Sequence, residues 1–258
     1  MEETNIKKNT IRAWLLASRP KTLAGAAVPL MIGLSLAYRD NAASFNVTAA
    51  LLCVAFAFIM QIDANFINDY FDFIKGTDDE SRLGPRRACA QGWITTSAMK
   101  RAIFVTTAAA CLVGLPLIIY GGLEMILVGA ICVLFCFLYT TSLSYMGLGD
   151  VLVLFFFGIV PVCISYYIQT ATVTLDVFLS SVSCGLIIDT LLLVNNYRDM
   201  ENDKRAGKKT LVVRAGADLG RIAYFVSGVL ALLSDLSFSL MVILLLLSHL
   251  FLTLSFII

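Results

Sequence analysis

The sequence predicts an all-α protein, a polytopic transmembrane helical bundle. Three observations carry this: the composition, a series of long apolar runs, and basic residues gathered on one side. Of 258 residues, 59% are hydrophobic and 14% charged, where an ordinary soluble chain is about 25% charged. A soluble domain of this size would have helices with polar outer stripes, and long stretches here have none. Apolar runs able to cross the roughly 30 Å hydrocarbon layer as helices fall near 22–38, 46–70, 102–120, 123–141, 148–170, 174–197, 219–234 and 236–258. If the N-terminus is cytoplasmic, Arg39 is the one Lys or Arg of 19 that lies on the far side. That asymmetry fixes the orientation by the positive-inside rule. The net charge of +1 says nothing about partners.

Taken in order, the N-terminal segment spreads Lys7, Lys8, Arg12, Arg19 and Lys21 ahead of the first span. It lacks the compact charged-then-apolar pattern of a signal peptide, so the first span is expected to remain in the mature protein. That span and the seventh are short and lean on their flanks. The second ends on acids and opens a basic loop. Pro29, Pro116 and Pro161 lie inside spans, where neighbouring helices can satisfy freed backbone groups. The fourth and fifth spans are joined by a short, nearly uncharged connection ending at Asp150. The sixth ends on a second acidic motif and a second basic loop. The last run holds His249, the only histidine, read as a packing residue, which argues against histidine-based catalysis or haem. Six of seven cysteines fall in apolar segments and read as small buried hydrophobes; no C-x-x-C pair points to zinc or redox chemistry.

The ends of spans two and six carry the chemistry. In Asn68-Asp69-Tyr70-Phe71-Asp72, Asn68 and Asp72 project from one helix face a turn apart, and Asp78, Asp79 and Glu80 follow. In Asn195-Asn196-Tyr197-Arg198-Asp199-Met200-Glu201-Asn202-Asp203, Asp199 and Asp203 share a face. The same N-x-x-x-D spacing recurs four spans apart, so the two four-helix halves would run in the same direction, as parallel repeats do. Ionisable groups in spans cost about 2.5–3.5 kcal/mol each on insertion scales. One such motif reads equally well as a helix cap at the interface, but two with matching spacing at one membrane face read as a site. Carboxylate and amide oxygens suit Mg²⁺, whose shell is usually completed by substrate phosphate. Lys75, Arg86, Arg87, Arg198, Lys204, Lys208 and Lys209 stand near enough in sequence to neutralise such a group, although basic residues belong in cytoplasmic loops whatever the function.

These two motifs resemble the aspartate-rich signatures of the intramembrane aromatic prenyltransferases of quinone biosynthesis. Arg19-Pro20-Lys21-Thr22-Leu23, Arg82-Leu83-Gly84-Pro85-Arg86-Arg87, Gly147-Leu148-Gly149-Asp150 and Phe156-Phe157-Gly158 resemble, within them, the 1,4-dihydroxy-2-naphthoate polyprenyltransferases of menaquinone synthesis. The similarity runs over roughly 11–221. It implies one transmembrane domain, 1–258, in a bacterial inner membrane, with its active site facing the cytoplasm. The chain has room for about eight of the family's nine spans, so it is expected to be shortened at its C-terminus. The implied cofactor is Mg²⁺, held by Asn68, Asp69, Asp72, Asp78, Asn195, Asp199 and Asp203, with Asp72, Asp199 and Asp203 catalytic. Lys75, Arg87, Arg198 and Lys208 are expected on the diphosphate; Arg19 or Lys21 on the acceptor carboxylate; Tyr139 and Asp150 on its hydroxyls. The expected partners are a polyprenyl diphosphate, 1,4-dihydroxy-2-naphthoate and membrane lipid, and no nucleic acid. Departures are Gly76, where the broader superfamily often has an aspartate, and Thr140-Thr141-Ser142-Leu143-Ser144, which lacks the usual glycine and prolines. Asp63 and Asp189 have no role in this reading. Two rivals are a 4-hydroxybenzoate polyprenyltransferase and, in another class, a cation or proton-coupled transporter.

Overall fold

A computed structural model describes residues 6–77 and 84–234. The helices are α1 (Ile11–Ser18), α2 (Leu23–Asn41), α3 (Val47–Ile74), α4 (Thr96–Gly121), α5 (Glu124–Leu143), α6 (Gly149–Thr170), α7 (Leu175–Arg198), α8 (Met200–Arg205), α9 (Leu211–Ala215) and α10 (Ala217–Ser234). No strand occurs among the described residues. Seven helical stretches are long and apolar enough to cross a membrane. They cover the first seven expected runs, the first beginning eleven residues earlier because α1 leads into it and the third six residues earlier. The eighth run, 236–258, and His249 lie outside the described residues, as does Asp78.

Side-chain caps set several helix starts. Asn46 accepts from the Ala49 amide at 2.9 Å and Thr95 from the Ala98 amide at 3.3 Å, each satisfying an N–H left over at a helix N-terminus. At the first corner Arg19 adopts left-handed backbone, φ 50°, and ends α1. Asn65 of α3 then donates to the Ser18 carbonyl and the Thr22 hydroxyl, both at 2.9 Å. The Arg19-to-Thr22 segment is therefore a corner pinned to α3.

Within the bundle, α3 packs along α4, α2 along α6, and α6 along α7. Small residues permit the closest approaches, as expected where lipid gives helices no hydrophobic reason to associate. A Cβ on Gly158 of α6 would come within 2.6 Å of the Gly185 Cα of α7. Here α6 passes through a π turn, Leu154–Ile159. Pro161 has no N–H to give the Phe157 carbonyl four residues back, and the Cys184 thiol reaches that oxygen at 3.8 Å. The proline is thus tolerated in a span because the facing helix supplies a substitute donor.

Two polar clamps lie away from the acidic motifs. Asp63 accepts from the Thr106 and Thr107 hydroxyls at 2.5 and 2.7 Å, fastening α3 to α4. At the far end of the bundle Arg39 pairs with Asp40 and with Asp176 at 2.6 and 2.8 Å. Tyr166 also donates to Asp40, at 3.0 Å. The one basic residue expected on that side therefore joins α2 to α7, and Asp40 beside it joins α2 to α6.

Candidate functional site

The acids lie where chain direction puts them. Spans α3, α5 and α7 run the same way, so their C-terminal ends gather at one end of the bundle with the start of α6. Together they enclose a polar cavity of about 120 Å³ lined by Asn68, Asp72, Tyr139, Asp150, Asp199 and Asp203. Arg87 and Lys208 reach in from the two long loops. Their nitrogens stand 3.6 Å from separate oxygens of Asp72. Arg87 and Asp72 are both buried, so water screens this cluster little.

Helical phase decides which acids face the cavity. Leu192, Asn196, Asp199 and Asp203 line it. Their spacing of four, three and four keeps one face through the bend between α7 and α8, where the Asp203 amide donates to the Asp199 carbonyl at 2.8 Å. Asn195 is exposed and does not line the cavity, contrary to the ligand role expected for it. Its neighbour Asn196 takes the position, because one residue turns the helix by about 100°.

Asp69 also departs from expectation. Its carboxylate accepts from the Ala88 and Cys89 amides, both at 2.8 Å, and interacts electrostatically with Arg19. It is buried and does not line the cavity; it holds the loop after α3 onto the bundle. Nearby burial, and the negative charge of Asp69, push the Cys89 thiol well above its ordinary pKa, so this cysteine stays a packed neutral group.

The expected basic residues divide. Arg87 and Lys208 line the cavity. Arg198 instead forks onto Asp199, with bonds of 2.8 and 2.7 Å, a bidentate geometry that fixes the carboxylate. Lys75 sits at the rim, donating to the Thr141 carbonyl at 2.6 Å. Its ammonium pKa is lowered, chiefly by partial burial and further by Lys208, against the opposing pull of Asp72. Arg19 and Lys21 do not line the cavity: the first sits beside Asp69 and the second is exposed. The acceptor-carboxylate role expected of them has no support in this geometry.

Sequence reasoning passed over Thr140, Ser144, Asn196 and Thr210, which also line the cavity. Thr140 donates to the Asn68 side-chain oxygen from a π turn at Tyr139–Leu143. Asn196 was open to a helical-wheel reading; the hydroxyls had no sequence signal beyond nearness to Tyr139 for Thr140 and Ser144 and to Lys208 for Thr210. Asp189, buried on α7, is in hydrogen-bonding contact with Asp150.

Among the described residues, no three acidic, histidine or cysteine side chains converge tightly enough to hold a metal by themselves. The donor set fits Mg²⁺ all the same, since that ion is usually held by one or two carboxylates, with water and substrate phosphate completing its shell.

The chain matches the model of the UbiA prenyltransferase family over residues 26–258. It is 34% identical over 248 residues to the 1,4-dihydroxy-2-naphthoate octaprenyltransferase of Haemophilus influenzae, covering 93% of this chain and 80% of that protein. With the enzyme of the same name from Escherichia coli it shares 37% over 225 residues, covering 84% and 72%. Its fold matches that of a UbiA homolog from Archaeoglobus fulgidus bound to DMAPP and Mg²⁺, with TM-score 0.65, 15% identity, and coverage of 89% of this chain and 78% of that one. With a family match along most of its length, and paired acidic helix ends meeting in one cavity, the chain belongs to the UbiA prenyltransferase family.

Proposed function

We propose that this protein transfers a polyprenyl group from its diphosphate to 1,4-dihydroxy-2-naphthoate with loss of CO₂, giving demethylmenaquinone. The reaction is Mg²⁺-dependent and takes place at the cytoplasmic face of a bacterial inner membrane. One observation carries the reading: Asp72, Asp199 and Asp203 share a cavity with Arg87 and Lys208, in a chain at least 34% identical to two enzymes named for that acceptor. Those names favour naphthoate over 4-hydroxybenzoate. Transport sites usually lie near the bilayer midplane, whereas these acids sit at one end of the bundle, which favours transfer.

Asn68, Asp72, Asp199 and Asp203 would hold Mg²⁺, which when bound would supply positive charge to the leaving diphosphate. Arg87 and Lys208 bind phosphate oxygens and keep the leaving group in place while the allylic C–O bond breaks and its electron pair departs with the diphosphate. Thr140 holds the Asn68 amide in orientation; Arg198 does the same for Asp199. Tyr139 and Asp150, on the wall formed by α5 and α6, face the hydroxylated ring. The ring attacks through its carboxylated carbon, and departure of CO₂ restores aromaticity. The prenyl tail lies along apolar helix surface, where each buried CH₂ contributes about 0.8 kcal/mol.

The test is metal and carboxylate dependence of product formation by the purified protein. Activity should vanish with EDTA, return with Mg²⁺, and fall by about a hundred- to a thousandfold in Asp72→Asn and Asp199→Asn, a typical loss for one preorganised electrostatic group. Near-normal turnover in both folded variants would show that these acids are helix caps.

A further inference from the structure

We infer that Tyr145, in the short connection between α5 and α6, is a positioning residue that sets the Lys75 and Lys208 ammoniums as a paired grip on the substrate diphosphate. The inference rests on the function proposed above and extends it to a residue outside the cavity wall. The Lys75 Nζ lies 4.1 Å from the centre of the Tyr145 ring and the Lys208 Nζ 5.3 Å. Both are within cation–π range. The two lysines come from different places: Lys75 follows the first acidic helix end, Lys208 the second. The Tyr145 hydroxyl bonds Thr77 at 2.7 Å, and its carbonyl accepts from the Lys209 amide at 3.1 Å. One residue of the short α5–α6 connection thus holds both long loops.

A purely structural aromatic would need no such arrangement. Two ammoniums converging on one ring repel each other, and Lys208 lowers the pKa of Lys75. The negative ring face offsets part of that repulsion. What remains is a concentration of positive charge above Asp72, which Lys208 approaches at 3.6 Å. An anion with several oxygens, as a diphosphate has, would let each ammonium take its own acceptor. Gly147 shows how closely the connection is fitted to the second loop. It has φ +79°, and a Cβ there would meet the Lys209 carbonyl at 2.4 Å.

The experiment uses full-length purified protein and four variants: Tyr145→Leu, Tyr145→Phe, Lys208→Met, and Tyr145→Leu combined with Lys208→Met. Steady-state kinetics give KM for each substrate, and calorimetry with inorganic pyrophosphate and Mg²⁺ gives a binding constant that needs no turnover. Tyr145→Leu should raise the prenyl diphosphate KM and the pyrophosphate Kd about tenfold, the scale of one desolvated cation–π contact. The acceptor KM should stay within about twofold, and Tyr145→Phe, which keeps the ring, within about threefold of the parent for both ligands. In the Lys208→Met background the further effect of Tyr145→Leu should shrink to about threefold, since coupled residues are non-additive. The grip is refuted if Tyr145→Leu leaves pyrophosphate binding unchanged, if the Phe variant loses as much as the Leu variant, or if both substrates weaken equally. Absence of prenyl transfer by the parent protein would instead count against the proposed function, while pyrophosphate binding would still decide the grip.

Discussion

Asp69 and Asp72 differ by three positions and act differently, because each carboxylate has its own partners. Asp72 meets Arg87 and Lys208 in the cavity; Asp69 accepts two loop amides. Hydrogen bonds to a charged group contribute about 1.5–3 kcal/mol each, so Asp69→Ala should lower stability by at least about 2 kcal/mol. Thermal unfolding in detergent would measure this, and an unchanged midpoint would contradict the clamp. Arg19→Gln should likewise weaken this corner while leaving the acceptor KM unchanged; a rise of tenfold would return Arg19 to the acceptor site. Sequence alone identified Asp72, Asp199 and Asp203 as facing one site because their oxygens recur at helical spacing beside basic loops. It misassigned Asp69 and Asn195 because a motif read as a string gives every polar letter the same weight. A helix turns about 100° per residue, and only part of the string can face the cavity.

At the scale of elements, the apolar runs were legible because lipid demands uninterrupted backbone pairing and apolar side chains over a fixed length. Seven spans appear where expected. The π turns in α5 and α6 were not legible, since they arise from contacts between helices, such as the Gly158 approach to Gly185 and the Cys184 thiol beneath Pro161. Gly158→Ala should cost about 1–3 kcal/mol, as overpacking does, because backbone atoms of α7 cannot move aside as a flexible side chain can. Gly129, on α5, has nothing within 4 Å of a built Cβ. There Gly129→Ala should be neutral or stabilise by about 0.5–1 kcal/mol through helix propensity. Midpoints of denaturation for the pair would check both, and equal effects would deny that α6 and α7 meet through glycine. Asp63, without a role on sequence grounds, proves to be a clamp from α3 to Thr106 and Thr107, distant residues that no local pattern could pair with it.

For the whole molecule, the decisive property is that the three connections following α3, α5 and α7 share one end of the bundle. Arg86 and Lys204 stand exposed at that end and Thr172 at the other. Single cysteines at Arg86 and Lys204, in a background free of native cysteines, should be labelled from the cytoplasmic side, and a cysteine at Thr172 from the opposite side. Labelling of the first two from different sides would end any model in which one diphosphate bridges both motifs. The meeting of both motifs at one end was readable from the parity of the spans. The cavity's hydroxyls and the loop contacts on Tyr145 required the fold itself, because they join segments separated by more than sixty residues. Prenyl transfer to the naphthoate is tested most directly by mass spectrometry of the product formed by the purified protein from 1,4-dihydroxy-2-naphthoate, Mg²⁺ and prenyl diphosphates of several lengths. A decarboxylated, prenylated naphthoquinol is expected, absent with EDTA and absent in Asp72→Asn. No product from the naphthoate, with prenylation of 4-hydroxybenzoate under the same conditions, would contradict it.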